Sequence, residues 1–98
     1  MYVAKMNDFE QIVKGNIHIR IQTQGKRSLT VVEGLDKDLD LKRVCKAMRK
    51  MFSSNGNVDE KNHIIQLQGD QRQQVKEWLL QNEVITKSDL ERVIVHGY

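Results

Sequence analysis

The chain has 98 residues, a net charge of +3 and one cysteine. That length allows one domain with a modest core and is too short for two. One cysteine cannot form an internal disulfide, no apolar run approaches the roughly 20 residues of a membrane span, and the N-terminus lacks the apolar segment of a signal peptide. We therefore expect an intracellular protein that makes no membrane contact.

The first third of the sequence predicts a tail followed by a β-hairpin. Residues 1–15 have scattered apolar side chains and balanced charge, which is typical of a weakly structured tail. Residues 17–22 alternate between isoleucine and polar side chains, as in a half-buried strand, and residues 29–32 form a second strand. The connection has hairpin length and contains a glycine, so Lys26 and Arg27 are expected at its tip.

The segment from Leu41 to Phe52 predicts an amphipathic helix with Asp40 as its N-cap. Its apolar stripe is Leu41, Val44, Cys45, Met48, Met51 and Phe52, and its opposite face carries Lys42, Arg43, Lys46, Arg49 and Lys50. Surface helices usually mix the two signs to gain ion pairs four residues apart, whereas this helix contains no carboxylate. Its cations therefore fit either a solvated surface or a contact with an anionic partner.

The sequence after this helix predicts a turn and two further strands. The turn-forming residues 53–57 end the helix, and Asn55 or Gly56 suits a left-handed conformation there. A short strand begins at Val58, and the chain returns in a second strand over residues 63–68.

The last third predicts a second helix and a fifth strand. Asp70, followed three residues later by Gln73, has the form of a capping box, and Trp78 lies on the inner face of the helix that it opens. Residues 92–96 are rich in β-branched side chains and predict a strand. The order ββαββαβ indicates an α+β two-layer sandwich over residues 16–98, with a mixed sheet of about five strands and two helices on one face.

The sequence argues against catalytic and metal sites. Alternating aspartates precede the first helix as in a calcium loop, but Leu41 and Ala47 occupy the positions that need glycine and glutamate. The three histidines and Cys45 are too far apart in sequence to predict a zinc site, and Cys45 fits a core position. No phosphate-binding loop or nucleophile motif is present. We predict a protein that is not an enzyme and needs no metal or cofactor, and that would contact RNA mainly through phosphates because aromatic side chains are few.

The segment from Ile64 to Arg72, with the sequence IIQLQGDQR, resembles the signature of the eukaryotic translation initiation factor one family, including its archaeal and virus-carried relatives. Four other parts follow the family's order: residues 17–22, residues 29–31 with Gly34, the basic helix running into Asn55 and Gly56, and residues 95–98. The resemblance spans residues 16–98 and does not cover the tail. The hairpin loop and the loop around residues 59–62 are shorter than in eukaryotic members.

The resemblance implies a cytoplasmic, monomeric translation initiation factor. Members of this family bind ribosomal RNA of the small subunit near the P site, act with other initiation factors and oppose premature seating of initiator tRNA, which supports scanning and start-codon fidelity. Carried over by position, the ribosome-binding residues are Lys26, Arg27, Lys42, Arg43, Lys46, Arg49, Lys50, Asn55 and Gly56, and the start-codon fidelity turn is Gly69, Asp70, Gln71 and Arg72. The alternative is a protein-interaction module of the same fold whose basic helix docks on an acidic protein.

Overall fold

The computed structural model describes residues 15–97, and their secondary structure follows the predicted order. The elements are β1 (Ile17–Gln24), β2 (Arg27–Glu33), α1 (Leu41–Phe52), β3 (Gly56–Asp59), β4 (Ile64–Gln68), α2 (Arg72–Gln81), a 3-10 helix (Lys87–Arg92) and β5 (Val93–Val95). The tail predicted over residues 1–15 lies outside the described residues except for Gly15.

The five strands form one mixed sheet in the order β3-β4-β2-β1-β5. Neighbouring strands are antiparallel except β1 and β5, which are parallel. The two helices contribute to one apolar cluster with the sheet, so the predicted α+β class is confirmed.

The alternation in β1 builds the core because every second side chain faces the helices. Ile19 is fully buried and lies opposite Val32 of β2, which in turn lies opposite Ile65 of β4. From the helices, Met48 and Trp78 join this cluster, with exposed fractions of 0% and 9%. The prediction that Trp78 faces inward is confirmed.

Two glycines allow the hairpin and its end. Gln24 pairs with Arg27, which leaves a two-residue loop whose first residue, Gly25, has a φ of +62°. Gly34 follows β2 with a φ of +92°, and a Cβ there would collide with the backbone oxygen of Asn16. The strand therefore ends at a position that only glycine fills without displacement of the chain.

The first helix confirms most of its predicted pattern and corrects two details. The side chain of Asp40 accepts a hydrogen bond from the backbone N–H of Arg43, as predicted for the N-cap. The prediction that Met51 lies on the buried stripe is wrong, because its exposed fraction is 69%. The left-handed residue at the end of the helix is Ser53, with a φ of 51°, and not Asn55 or Gly56.

The second helix begins one residue later than predicted. Its N-cap is Gln71, and no side chain of the helix itself caps it, so the prediction of a capping box formed by Asp70 and Gln73 is wrong. The carboxylate of Asp70 is instead bonded to Arg72, the first residue of the helix. The helix ends at Gln81.

The two ends of the sheet differ in charge. The β1–β2 loop, the start of β3 and the end of β4 lie at one end, because Gln24 pairs with Arg27, Leu29 with Gln68, and Gly56 with Leu67. We call this the hairpin end. The link between β2 and α1, the β3–β4 loop and the start of the 3-10 helix lie at the other, which we call the loop end; its carboxylates include Asp36, Asp38, Asp40, Asp59, Glu60, Glu83 and Asp89.

Candidate nucleic-acid interface

The C-terminal half of α1 places three exposed cations at the hairpin end. Lys46, Arg49 and Lys50 line one side of a cleft of about 680 Å³, and we call it the basic cleft. The rest of the cleft is lined by Ser53, Ser54, Asn55, Gln68, Gly69 and Gln71. Cations near a helix C-terminus also interact favourably with its partial negative charge, so this arrangement stabilises the helix as well as presenting positive charge.

The hairpin extends the positive surface beside the basic cleft. Lys26 and Arg27 are exposed at the tip, and Arg27 lines two adjoining clefts together with Asn55 and Gln68. The basic cleft is also lined by Asn55 and Gln68, which makes this pair the centre of the surface. The structure therefore brings together, from the predicted residues, Arg27 of the hairpin, the three cations in the C-terminal half of α1 and Asn55.

Lys42 and Arg43 lie apart from that surface. Both are in the first turn of α1, at the loop end. The Nζ of Lys42 is 3.3 Å from a carboxylate oxygen of Glu60, and the Nε of Arg43 is 3.8 Å from one of Asp40. Within residues 15–97, no comparable ion pair involves Lys46, Arg49 or Lys50. The five cations of α1 therefore separate into two at the loop end, which lie beside carboxylates, and three at the hairpin end, which do not within the described part of the chain.

Gly56 serves the packing of the sheet. A Cβ at this position would lie 2.7 Å from the carbonyl oxygen of Gln66 and 2.7 Å from the Cδ2 of Leu67. Glycine therefore allows β3 to approach β4. Of the predicted pair, Asn55 is the exposed residue that can contact a ligand.

Backbone hydrogen bonds join the segments around the basic cleft. The N–H of Gln68 donates to the carbonyl of Asn55, and the N–H of Gly69 donates to the carbonyl of Ser28, each at 2.8 Å. The hydroxyl of Ser54 donates to the carbonyl of Gln68 at 2.9 Å. Three loops from different parts of the chain thus form one connected surface.

A buried threonine in β2 hydrogen-bonds both ends of the turn from Gly69 to Gln71. The hydroxyl of Thr30 donates to the carbonyl of Gly69 and accepts from the N–H of Gln71, both at 2.7 Å. Thr30 is completely buried, and Gly69 has a φ of +82°. The Thr30 hydroxyl therefore binds the N–H of the N-cap residue Gln71, and Oδ1 of Asp70 accepts the next N–H, that of Arg72, at 3.3 Å. Two N–H groups at the start of α2 that have no partner within the helix are bonded in this way.

Arg72 holds the same turn from its side. Its Nε and Nη2 donate to the two carboxylate oxygens of Asp70 at 2.8 and 2.7 Å, and its Nη1 donates to the carbonyl of His96 at 2.6 Å. The side-chain hydrogen bonds from Arg72 are the main reason that the pKa of Asp70 is lowered. The side chain of Arg72 is only 11% exposed, whereas that of Asp70 is 50% exposed. Asp70 and not Arg72 is therefore the charged group that this turn presents.

Sequence reasoning missed Thr30 and Gln68. Thr30 lies two residues before the buried Val32 in β2, so the alternation of the strand could have predicted that it faces inward. Its hydrogen-bond partners could not be predicted, because they lie about forty positions away in the sequence. Gln68 lies inside the segment that carries the family resemblance and ends β4. Its exposure at the end of the strand follows from the pairing of the strands.

The described residues show no sign of a catalytic or metal centre. Within residues 15–97, no three His, Cys, Asp or Glu side chains come together as metal ligands. In that range, no helix is both long and apolar enough to cross a membrane. Burial raises the pKa of the Cys45 thiol, which disfavours its reactive thiolate form. Fold and surface together define a small α+β binding domain whose features are a basic cleft and a braced turn.

Comparison with known proteins gives the family. The family model described as Translation initiation factor SUI1 matches residues 13–85. Protein translation factor SUI1 of Eremothecium gossypii is 43% identical over 97% of this chain and 89% of its own length, and eukaryotic translation initiation factor eIF-1 of Saccharomyces cerevisiae is 39% identical with the same coverage. Protein translation factor sui1 of Schizosaccharomyces pombe is 42% identical over 85% of this chain and 77% of its own length.

The chain belongs to the SUI1 family of translation initiation factors, which are not enzymes. The predicted resemblance is thereby confirmed. Its predicted limit at residue 16 is wrong, because alignments that cover 97% of the chain also include most of residues 1–15.

Proposed function

We propose that this protein is a cytoplasmic translation initiation factor that binds the small ribosomal subunit through its hairpin end. It acts near the P site with other initiation factors, and it supports scanning and start-codon fidelity by opposing premature seating of initiator tRNA. The membership of the family supports the role in initiation. The observation that carries the choice of surface is the basic cleft, where exposed cations from α1 meet the turn that presents Asp70.

The charge arrangement supports RNA as the ligand of the basic cleft. Lys46, Arg49 and Lys50 lie on consecutive turns of one helix, and each can neutralise a phosphate. Arg27 extends the positive surface to the hairpin. The connected loops keep these side chains in a fixed relation, which lowers the conformational entropy that binding must overcome.

The turn supports a role in discrimination. Asp70 is a half-exposed carboxylate beside a surface that otherwise attracts phosphate. A negative charge there repels a tRNA or ribosomal RNA phosphate that approaches too closely. It therefore disfavours full seating of the initiator tRNA until the free energy of codon pairing compensates for the repulsion. Asp70 thus opposes association at the point where the cations favour it.

Cosedimentation with purified small subunits at increasing salt tests the binding surface. A variant with Lys46, Arg49 and Lys50 replaced by Glu should fold normally, lose at least tenfold in affinity and show a salt slope about 2 to 3 units smaller, because each lost phosphate contact removes about 0.7–0.9 from the slope. The matched control replaces Lys37, Lys61 and Lys87, three exposed cations at the loop end, by Glu. Equal losses in the two variants, or binding that does not saturate, would overturn the proposal.

The alternative of an acidic protein partner makes a different prediction in the same assay. If α1 docks on a protein, free ribosomal RNA should not compete for the wild-type protein, and the salt dependence should be shallow. Competition by purified small-subunit RNA with a steep salt slope supports the RNA surface.

A further inference from the structure

We infer that Thr30 and Arg72 are positioning residues for start-codon discrimination, which act by holding the Gly69–Gln71 turn in one conformation. This inference rests on the proposed function of the turn. Neither residue is placed to meet RNA itself, since Thr30 is completely buried and the Arg72 side chain is 11% exposed. Both act through Asp70, the half-exposed residue between their contacts.

The hydroxyl of Thr30 makes two hydrogen bonds to the turn. Its one hydrogen goes to the carbonyl of Gly69, and its oxygen receives the N–H of Gln71, so the two peptide groups on either side of Asp70 are fixed by one atom. The side chain of Gln71 makes no capping hydrogen bond, and Oδ1 of Asp70 accepts the N–H of Arg72 at 3.3 Å. Removal of the hydroxyl leaves a part-buried acceptor and a part-buried donor without their partner.

Arg72 fixes the other side of Asp70. Its planar guanidinium binds both carboxylate oxygens and, at the same time, the carbonyl of His96 next to β5. Gly97 makes room for this contact, since a Cβ there would lie 2.5 Å from the Nη1 of Arg72. The direction of the Asp70 carboxylate is therefore set by β2 through Thr30 and by the segment after β5 through Arg72.

Thr30→Val removes the hydroxyl and keeps the shape of the side chain. We expect exchange of the Gln71 amide hydrogen to accelerate at least tenfold, and initiation at a near-cognate codon to rise severalfold relative to the cognate codon. Affinity for small subunits should change less than twofold, because the cations of the basic cleft are untouched. Thr30→Ser, which keeps the hydroxyl, should restore both the slow exchange and the codon ratio.

The control for simple loss of stability is Val32→Ala, on the same strand and equally buried. It should lower the melting temperature without changing the codon ratio. If Thr30→Val does not fold, Arg72→Lys tests the same claim, because it keeps the charge and loses the two-point contact with Asp70.

The outcomes separate this inference from the proposed function. A raised near-cognate ratio in Thr30→Val or Arg72→Lys, with rescue by Thr30→Ser, supports it. An unchanged ratio in a folded Thr30→Val protein, while Asp70→Asn raises the ratio, overturns the inference and leaves the proposed function standing. No effect in Asp70→Asn, together with equal losses of subunit binding in the basic-cleft variant and its loop-end control, overturns the proposed function itself.

Discussion

Replacing Asp70 by Asn removes one negative charge from the turn and keeps an oxygen that can accept hydrogen bonds. The oxygen of Asn can still accept the backbone N–H of Arg72, which Asp70 accepts at 3.3 Å, so the expected stability cost is mainly that of the ion pair with the Arg72 side chain, about 0.2–1 kcal/mol. For a domain of this size, the melting temperature should fall by no more than about 8 °C. The folded state should therefore be retained.

The expected effect on initiation is electrostatic. A unit charge about 7 Å from a phosphate contributes about 0.6 kcal/mol in water, which is about threefold in an equilibrium constant. The substitution also removes the carboxylate that neutralises Arg72, so the positive charge of the guanidinium attracts phosphate more strongly. Both changes act in the same direction, and we expect initiation at a near-cognate codon to increase about threefold or more.

A reconstituted initiation assay with matched cognate and near-cognate messages measures this ratio. The control is Asp38→Asn, which makes the same change of charge at the loop end and should leave the ratio unchanged. If a folded Asp70→Asn protein that still binds small subunits gives the wild-type ratio, the carboxylate has no part in discrimination. An equal increase in both variants would show an effect of net charge alone.

Two further predictions concern stability. Trp78→Ala should lower the free energy of unfolding by about 3–5 kcal/mol, because the side chain is 9% exposed. Met51→Ala should stay within about 0.5 kcal/mol of wild type, because that side chain is 69% exposed. Equal shifts of the two variants in urea unfolding would contradict the difference in burial. The backbone N–H of Thr86, which donates to the carboxylate of Asp89, is the main reason that the pKa of Asp89 is lowered in the folded protein. The ionised carboxylate therefore stabilises the fold above about pH 4, and this stabilisation is lost as the pH falls through the lowered pKa of the folded state. The stability gap between wild type and Asp89→Asn should therefore close on acidification, and a gap that is constant with pH would refute this reading.

The elements were predictable because their signals are local. The period of the isoleucines in β1 and of the apolar residues in α1 specifies which face is buried, and the predicted element order is confirmed. Met51 was assigned wrongly because it lies at the margin of the stripe in the last turn. Whether a marginal side chain is covered depends on the neighbouring element, and the period of one helix does not contain that information.

The turn shows where local reasoning ends. Asp70 and Gln73 match a capping box, but a hydroxyl forty-one positions earlier in the chain binds the N–H of Gln71, and Arg72 takes the carboxylate. The cations of α1 show the same limit, since the partner of Lys42 is Glu60 on another loop. The sequence predicts these five cations as one group, whereas the fold places two of them beside carboxylates and three of them beside the basic cleft.

The hairpin end carries an excess of cations, whereas the carboxylates of the loop end lie among cations such as Lys37, Lys61 and Lys87. This difference gives the domain an electric dipole along the strands. A polyanionic surface attracts the hairpin end more strongly than the loop end before any contact forms, so it rotates an approaching molecule until the hairpin leads. This torque acts over about 8 Å at physiological ionic strength. Encounters therefore begin in the orientation that the basic cleft and the Asp70 turn require, and the arrangement of charge contributes to the rate of association as well as to its strength.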